Sequence, residues 1–201
     1  AGEKETDFRS YLLKAKATNP DALVCSGLVD ETVRCLVQSY EVGIPKSVAR
    51  VANSVASKVE VPTNAGKAAV GVSYAAAFAA SDTRPIAKKF VKHIKSRYGV
   101  VPGHDFSQME DLLTMLKPAL EKAEKQFSGD LASDRKAVRD SIAGITNFTG
   151  LASGPISFCA AGSPECRDGN RTPVMIEYTK GGKNWKTKVA GTVTFNASAG
   201  L

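Results

Sequence analysis

The sequence predicts an α/β protein organised on a parallel sheet, and three observations predict it. Over the first eighty or so residues, short apolar runs of strand length alternate with segments of helical periodicity, the pattern of βαβ units. From Asp82 onward the texture changes to long amphipathic helices. After "GPISF" the chain returns to strand-like runs separated by Gly-rich turns.

The elements follow in order. In "DFRSYLLKAKATNPDALVCSG", Phe8, Tyr11, Leu12 and Ala15 recur on one helical face, Asn19-Pro20 breaks the helix, and Ala22 to Cys25 form a short buried strand. Asp30 is placed to cap a second helix with Val33, Leu36, Val37 and Tyr40 facing inward, and Gly43 ends it. A second strand lies in "PKSVARVANS". Residues 55–67 stay ambiguous because Pro62 interrupts the only short helix available there, and "GVSYAAAF" then reads as a third strand.

In "TRPIAKKFVKHIKSRYG", Ile86, Phe90, Ile94 and Tyr98 recur every four residues between Pro85 and Gly99, a helix with a proline start and a glycine stop. The next helix, from about Phe106 to Gln126, carries Phe106, Met109, Leu113, Leu116, Leu120, Ala123 and Phe127 at three- and four-residue spacing. That stripe is expected to be a core face, since a coiled coil would need a longer repeat and a matching segment. Pro118 is expected to kink it. A shorter helix spans about Asp134 to Ile142, capped by Ser133 or Asp134. "PVMIEYTKGGKNWKTKV" supplies terminal strands that turn at Gly181-Gly182.

Composition narrows the function classes. The chain has 201 residues, 43% hydrophobic and 23% charged, so it can bury a core. Its longest apolar run, "GVSYAAAFAAS", is about half the ~20 residues a spanning helix needs, and nothing at the start reads as a signal peptide. The net charge of +7 is spread over several segments among 20 acidic residues. Nucleic acid is therefore not expected as a partner, because phosphate tracking wants clustered charge with interleaved aromatics. The four cysteines are spaced too widely for zinc pairs, and a Cys-x-x-Cys redox motif is absent. A disulfide or buried thiols remain.

No catalytic constellation stands out. "GVSYA", Gly71 to Ala75, approaches the G-x-S-x-G nucleophile elbow of an α/β hydrolase, the rival class, but Ser73 falls inside a predicted strand where the motif needs a strand-to-helix turn. His104 beside Asp105 fits a helix start, His93 a solvated basic helix, and no phosphate-cradling glycine loop is present.

Taken together, "AGEKETDFRSYLLKAKATNPDALVCSGLVDETVRCLVQSYEVGI", "AGKAAVGVSYAAAF", "TRPIAKKFVKHIKSRYGVVP", "DRKAVRDSIAGI" and "TGLASGPISFCAAGSPE" resemble successive segments of one family. It is the type I periplasmic substrate-binding proteins of ABC transporters, in the branched-chain amino-acid-binding (leucine/isoleucine/valine) group. The likeness runs in order over essentially the whole chain, yet corresponds only to the C-terminal portion of such a two-lobed protein. It implies that residues 1–81 belong to the second lobe, that 82–147 are helices returning to the first, and that 148–201 cross the hinge and end in the last strands. Much of the first lobe's sheet would then lie outside this sequence. The missing N-terminal lobe becomes an expected partner, and a homodimer, through self-association or domain swapping, is expected of the chain by itself.

The resemblance further implies a solute-binding, non-enzymatic role without cofactor: capture of a small amino acid or an organic or aromatic acid in the periplasm, and delivery to a membrane permease. In this family the second lobe contacts ligand from the carboxyl ends of its strands, which here gives Ser26, Gly27 and Leu28 after the first strand and Asn53 and Ser54 after the second. Amino-acid-binding members carry a tyrosine at the position of Leu28, and at that of Ser54 a glutamate that meets the ligand ammonium; both differ here. "GPISFCAAGSPECRDG" takes the place of the family's G-x-I-x-F-D-x-x-G-D-P turn, with Cys159 where an aspartate is common. Export to an oxidising compartment makes a disulfide admissible, and a Cys159–Cys166 bridge is the expectation. Cys25 and Cys35 could pair or be simple core residues.

Overall fold

A computed structural model describes residues 5–152, 155–158 and 173–192. These divide into two compact units, one holding the residues up to Asp82 together with Val174–Thr192, the other the residues from Thr83 to Pro173.

In the first unit, helix α1 (Arg9–Ala17) leads to strand β1 (Ala22–Cys25), helix α2 (Val29–Glu41) and strand β2 (Ala49–Ala52). A 3-10 turn (Ser54–Ser57), helix α3 (Glu60–Ala65) and another 3-10 turn (Gly66–Ala69) precede strand β3 (Val72–Ala76). Strands β4 (Val174–Lys180) and β5 (Lys186–Thr192) complete a sheet of order β1-β2-β3-β4-β5. The β1–β2 and β2–β3 pairs are parallel, as the βαβ pattern predicts. The β3–β4 and β4–β5 pairs are antiparallel, so the sheet is mixed.

The reason for each element is local. Pro62 does not break α3 because it occupies the third helical position, where a backbone N–H has no intrahelical partner. Its carbonyl accepts from Gly182 N at 2.8 Å, docking the β4–β5 turn on α3. Gly181 in that turn must be glycine: a Cβ there would lie 1.8 Å from the Gly66 carbonyl oxygen. The core joins Leu36 of α2 to Cys25, Ala52, Val72, Tyr74, Ile176 and Tyr178 of the sheet. Tyr74 and Tyr178 stack at 5.4 Å between centroids, Trp185 meets Tyr178 edge-on, and the Tyr178 hydroxyl donates to the Ala56 carbonyl.

Several expected details are corrected. Leu28, not Asp30, is the N-cap of α2; Asp30 and Glu31 lie in its first turn, where their charges favour the positive end of the helix dipole. Tyr40 and Tyr11 are half exposed, and the buried face of α2 runs through Thr32, Leu36 and Ser39. Gln38 is also buried, because its side-chain amide clasps the segment before α1: Phe8 N donates to Oε1 at 2.5 Å and Nε2 donates to Thr6 O at 2.9 Å.

The second unit contains α4 (Pro85–Tyr98), α5 (His104–Glu124) and α6 (Leu131–Ala143). Helix α4 starts on Pro85 and stops at Gly99 in the left-handed conformation (φ 71°), as predicted. The cap of α6 is Asp130, whose carboxylate accepts from Ser133 N at 2.8 Å, whereas Asp134 accepts from Ser128 N. Helix α5 runs through Pro118 as one element.

The stripe on α5 is the largest correction. Leu113 and Met109 are 61% and 56% exposed, and Phe106, Leu120 and Phe127 are nearly half exposed. Of the stripe only Ala123 is buried, with Leu116 half-buried, and the buried row runs through Ser107, Asp111, Met115, Ala119 and Ala123. Physical reasons are at hand: the alanines let α6 approach, and Asp111 accepts from Leu151 N and Ala152 N at 2.6 and 2.7 Å, so its burial is compensated. The Arg84 guanidinium grips the same loop by donating to the carbonyls of Gly150, Leu151 and Ala152. "GPISF" forms no extended strand among its described residues, only a bridge from Ile156 to Phe148. No described helix is long and apolar enough to cross a membrane.

Candidate functional site

Because β1 and β2 are parallel neighbours with Cys25 opposite Ala52, their carboxyl ends reach the same edge of the sheet. Ser26, Gly27 and Leu28 leave β1 there, and Asn53 and Ser54 leave β2 beside them. The two segments are tied directly: Asn53 Nδ2 donates to the Gly27 carbonyl at 3.0 Å, and Thr32 Oγ1 approaches the same oxygen at 3.4 Å. Asn53 also starts the 3-10 turn, its carbonyl accepting from Ala56 N, which places Ser54 as the first residue of that turn, half-buried. Leu28 is 72% exposed and Ser26 is exposed, so this edge offers a broad apolar side chain, hydroxyls and an amide.

The edge is polar and acidic rather than basic. Asp30 and Glu31 occupy the first turn of α2 directly after Leu28, which disfavours an anion at that helix start. Glu31 was not anticipated as part of this edge. Its Cβ lies 2.8 Å from where a Cβ on Gly27 would sit, so Gly27 makes room for it. Its Oε2 is shielded from solvent without a hydrogen-bond partner among the described residues, as is Asn53 Oδ1. The sequence signal was available: a glycine one helical turn before a glutamate, at the end of a strand.

Cys25 and Cys35 are joined in a disulfide with Cα atoms 5.8 Å apart, so of the two states open to them they take the paired one. The bridge brackets the loop that carries Ser26, Gly27 and Leu28. Cys159 and Cys166 lie outside the described residues.

No group of metal-ligating side chains exists among the described residues. Ser73 sits within β3, paired with Val51 and Glu177 in the adjoining strands, and so does not form a nucleophile elbow. His104 is buried at the start of α5 with Nε2 2.9 Å from Asp105 Oδ1, and Ser107 Oγ donates to its carbonyl, the helix-start role its position predicts.

Comparison with solved structures establishes the same fold elsewhere. A leucine binding protein from Thermotoga maritima superposes with a TM-score of 0.76 at 24% identity, covering 96% of this chain and 50% of that one. A branched-chain amino acid transporter substrate binding protein from Streptococcus pneumoniae, in complex with isoleucine, gives 0.76 at 21% identity, with coverages of 97% and 51%. A solute binding protein of an ABC transporter from R. palustris, in complex with benzoate, gives 0.72 at 17% identity, with 98% and 51%. The chain thus spans about half the length of the solved structures it matches. A comparison with curated proteins returns no match. The family model described as periplasmic binding protein matches residues 2–167, most of the sequence, and with the α/β sheet and the strand-end edge described above it shows that this chain belongs to the periplasmic binding protein family.

Proposed function

We propose that this chain forms part of the solute-binding component of an ABC-type importer, supplying one wall of a ligand cleft from Ser26, Gly27, Leu28, Asn53 and Ser54. The observation that carries the reading is the convergence of the β1 and β2 carboxyl ends on one edge, cross-linked by the Asn53–Gly27 hydrogen bond. Open α/β sheets bind ligands at this end. The protein acts in the periplasm without catalysis, and its partner is a membrane permease.

The remainder of the cleft comes from the other lobe. The half of the relatives' length that this chain does not match, and the exposed apolar row Met109, Leu113 and Leu120 on α5, support that reading, because such a row is normally covered. By itself the chain self-associates through this face, and light scattering that finds a monomer at every concentration would contradict that.

The ligand is a small organic acid, aromatic or aliphatic, in preference to leucine, isoleucine or valine. An ammonium in a closed cleft needs an anionic or multiply accepting partner, since leaving it buried and unpaired costs several kcal/mol. Ser54 offers one neutral hydroxyl and Leu28 an apolar wall. The ligand carboxylate then turns away from acidic Asp30 and Glu31, toward donors of the other lobe. Calorimetry on the protein with both lobes tests this: benzoate-type and aliphatic carboxylates should bind at micromolar levels or better. Tight binding of branched-chain amino acids with no response to carboxylates would overturn the assignment, and Glu31 would then be the first residue to replace in search of the ammonium partner.

A further inference from the structure

We propose that the outward face of α4 is an electrostatic docking surface for a bilayer rich in anionic phospholipid. This inference is independent of the identity of the solute. Residues 83–152 hold twelve lysines and arginines against eight aspartates and glutamates; α4 alone holds five of the twelve and none of the eight. Without this helix that stretch would be slightly acidic, so its positive charge is local to one element.

The arrangement along the helix is directional. Ala87 and Ile94 are buried, and Phe90 and Val91 are half-buried beside them. Lys88, Lys92 and Lys95, at four- and three-residue spacing, with Lys89 alongside, occupy the opposite face, and all four are exposed. Among the described residues none of these four lysines enters an ion pair, unlike Arg9, Lys136, Arg139 and Lys188. Arg97 is turned aside, its guanidinium over the Tyr98 ring and Nε on the Tyr98 hydroxyl. The four charges are therefore uncommitted along a helix of 14 residues, roughly 21 Å long.

The chemistry favours a membrane over other polyanions. A lysine is a compact charge on a flexible stem, suited to a laterally mobile array of phosphates, whereas fixed carboxylate or phosphate geometry is read by the planar fork of arginine. Beside the four lysines the only exposed ring in the middle of α4 is the His93 imidazole, far short of the succession of aromatic platforms on which nucleic-acid bases stack. Ala87 and Ile94 are committed to the protein interior, and the exposed Ile86 and Tyr98 stand at the two ends of the helix, away from the lysine row, so contact is peripheral and sensitive to salt. The β4–β5 hairpin is also basic, but its Lys188 is paired with Glu177 at 3.2 Å and its lysines are spread over a ribbon.

Co-sedimentation with vesicles of phosphatidylglycerol and phosphatidylcholine in equal parts, against pure phosphatidylcholine, tests the proposal. The protein should sediment with the anionic vesicles alone at about 0.01 M salt and be released at about 1 M, as the screening length falls from roughly 30 to 3 Å. Each lysine near an anionic surface contributes roughly fivefold to partitioning, so the K88Q/K89Q/K92Q/K95Q variant should lose roughly six-hundredfold. The corresponding lysine-to-arginine variant should sediment like the parent, as should the hairpin control K183Q/K186Q. If the glutamine variant loses its helical circular dichroism, the arginine variant and the hairpin control decide. No sedimentation with anionic vesicles at low salt, a folded glutamine variant that sediments like the parent, a hairpin control that loses binding, or equal retention on duplex DNA would each overturn it.

Discussion

Cys25, the last residue of β1, is covalently bonded to Cys35 in the middle of α2, and the ten-residue separation between them encloses Ser26, Gly27 and Leu28. The covalent link therefore holds the proposed binding loop against its own following helix. In the chain-entropy model a loop this short stabilises by somewhat less than the ~3 kcal/mol assigned to a 15-residue loop.

Removing the bridge with C25A/C35A should lower unfolding free energy by about 2–3 kcal/mol, read as a lower denaturant midpoint at similar slope. Reductant should shift the parent protein by a comparable amount and leave the variant unmoved. An identical midpoint for parent and variant would show that the bond does not constrain the unfolded chain.

A second expectation concerns alkali. Burial pushes the Tyr74 hydroxyl up to about 12, with the Tyr178 hydroxyl opposing the shift, and burial, then the Tyr74 charge, raises Tyr178 as well. A raised folded value means that this stability is fully present below the unfolded tyrosine value near 10 and is lost as pH rises through the folded one. At roughly 1.4 kcal/mol per unit, about 3 kcal/mol from Tyr74 disappears between pH 10 and 12. The part of the tyrosinate absorbance that belongs to Tyr74 and Tyr178 should thus appear only together with the loss of tertiary signal. Titration of all tyrosines near 10 with the fold intact would contradict this.

In the second unit, Asp111 and Gly150 form one device. Asp111→Ala leaves Leu151 N and Ala152 N buried without acceptors and should destabilise by about 2–4 kcal/mol. Gly150→Ala should do comparable damage by a different route, because its Cβ would sit 2.1 Å from Asp111 Oδ1. The two losses should combine to less than their sum, since both act on one contact. Thermal unfolding of the two variants and their double measures this, and full additivity would show the sites to be independent.

The charge argument at the strand ends yields a fourth. Replacing Ser54 by glutamate in the protein with both lobes should raise affinity for branched-chain amino acids by about tenfold or more, the range expected when a buried charge gains a charged hydrogen-bond partner. Affinity for a carboxylate without an ammonium should not rise. Isothermal calorimetry with leucine and benzoate on parent and variant distinguishes these outcomes.

Much of the first unit was legible because its signals are local. The apolar run Ala22 to Cys25 after the break at Asn19-Pro20, and the run through Val72 to Ala76, each fix a strand by composition and by what flanks it, but β1 is not the buried strand expected: it lies at the sheet edge, where only Cys25 is buried and Val24 is exposed. Pro85 and Gly99 likewise bound α4 through backbone constraints of single residues. The ordered resemblance then added which strand ends should meet a ligand.

Sequence by itself determined the parallel β1–β2–β3 core, the helix termini set by proline and glycine, and the absence of a catalytic elbow at Ser73, since each follows from a few adjacent residues. Tertiary structure decided what depends on distant partners. The pairing of Cys25 with Cys35 needed the approach of β1 and α2. The antiparallel addition of β4 to β3 needed a strand a hundred residues away. Apart from Ala123, the buried face of α5 could not be read from its apolar stripe, because hydrophobicity alone did not predict that Ala119 would admit a neighbouring helix or that backbone N–H groups of residues 151 and 152 would satisfy a buried Asp111. A helix buries the face its neighbours can fill and satisfy, and those neighbours are specified elsewhere in the chain.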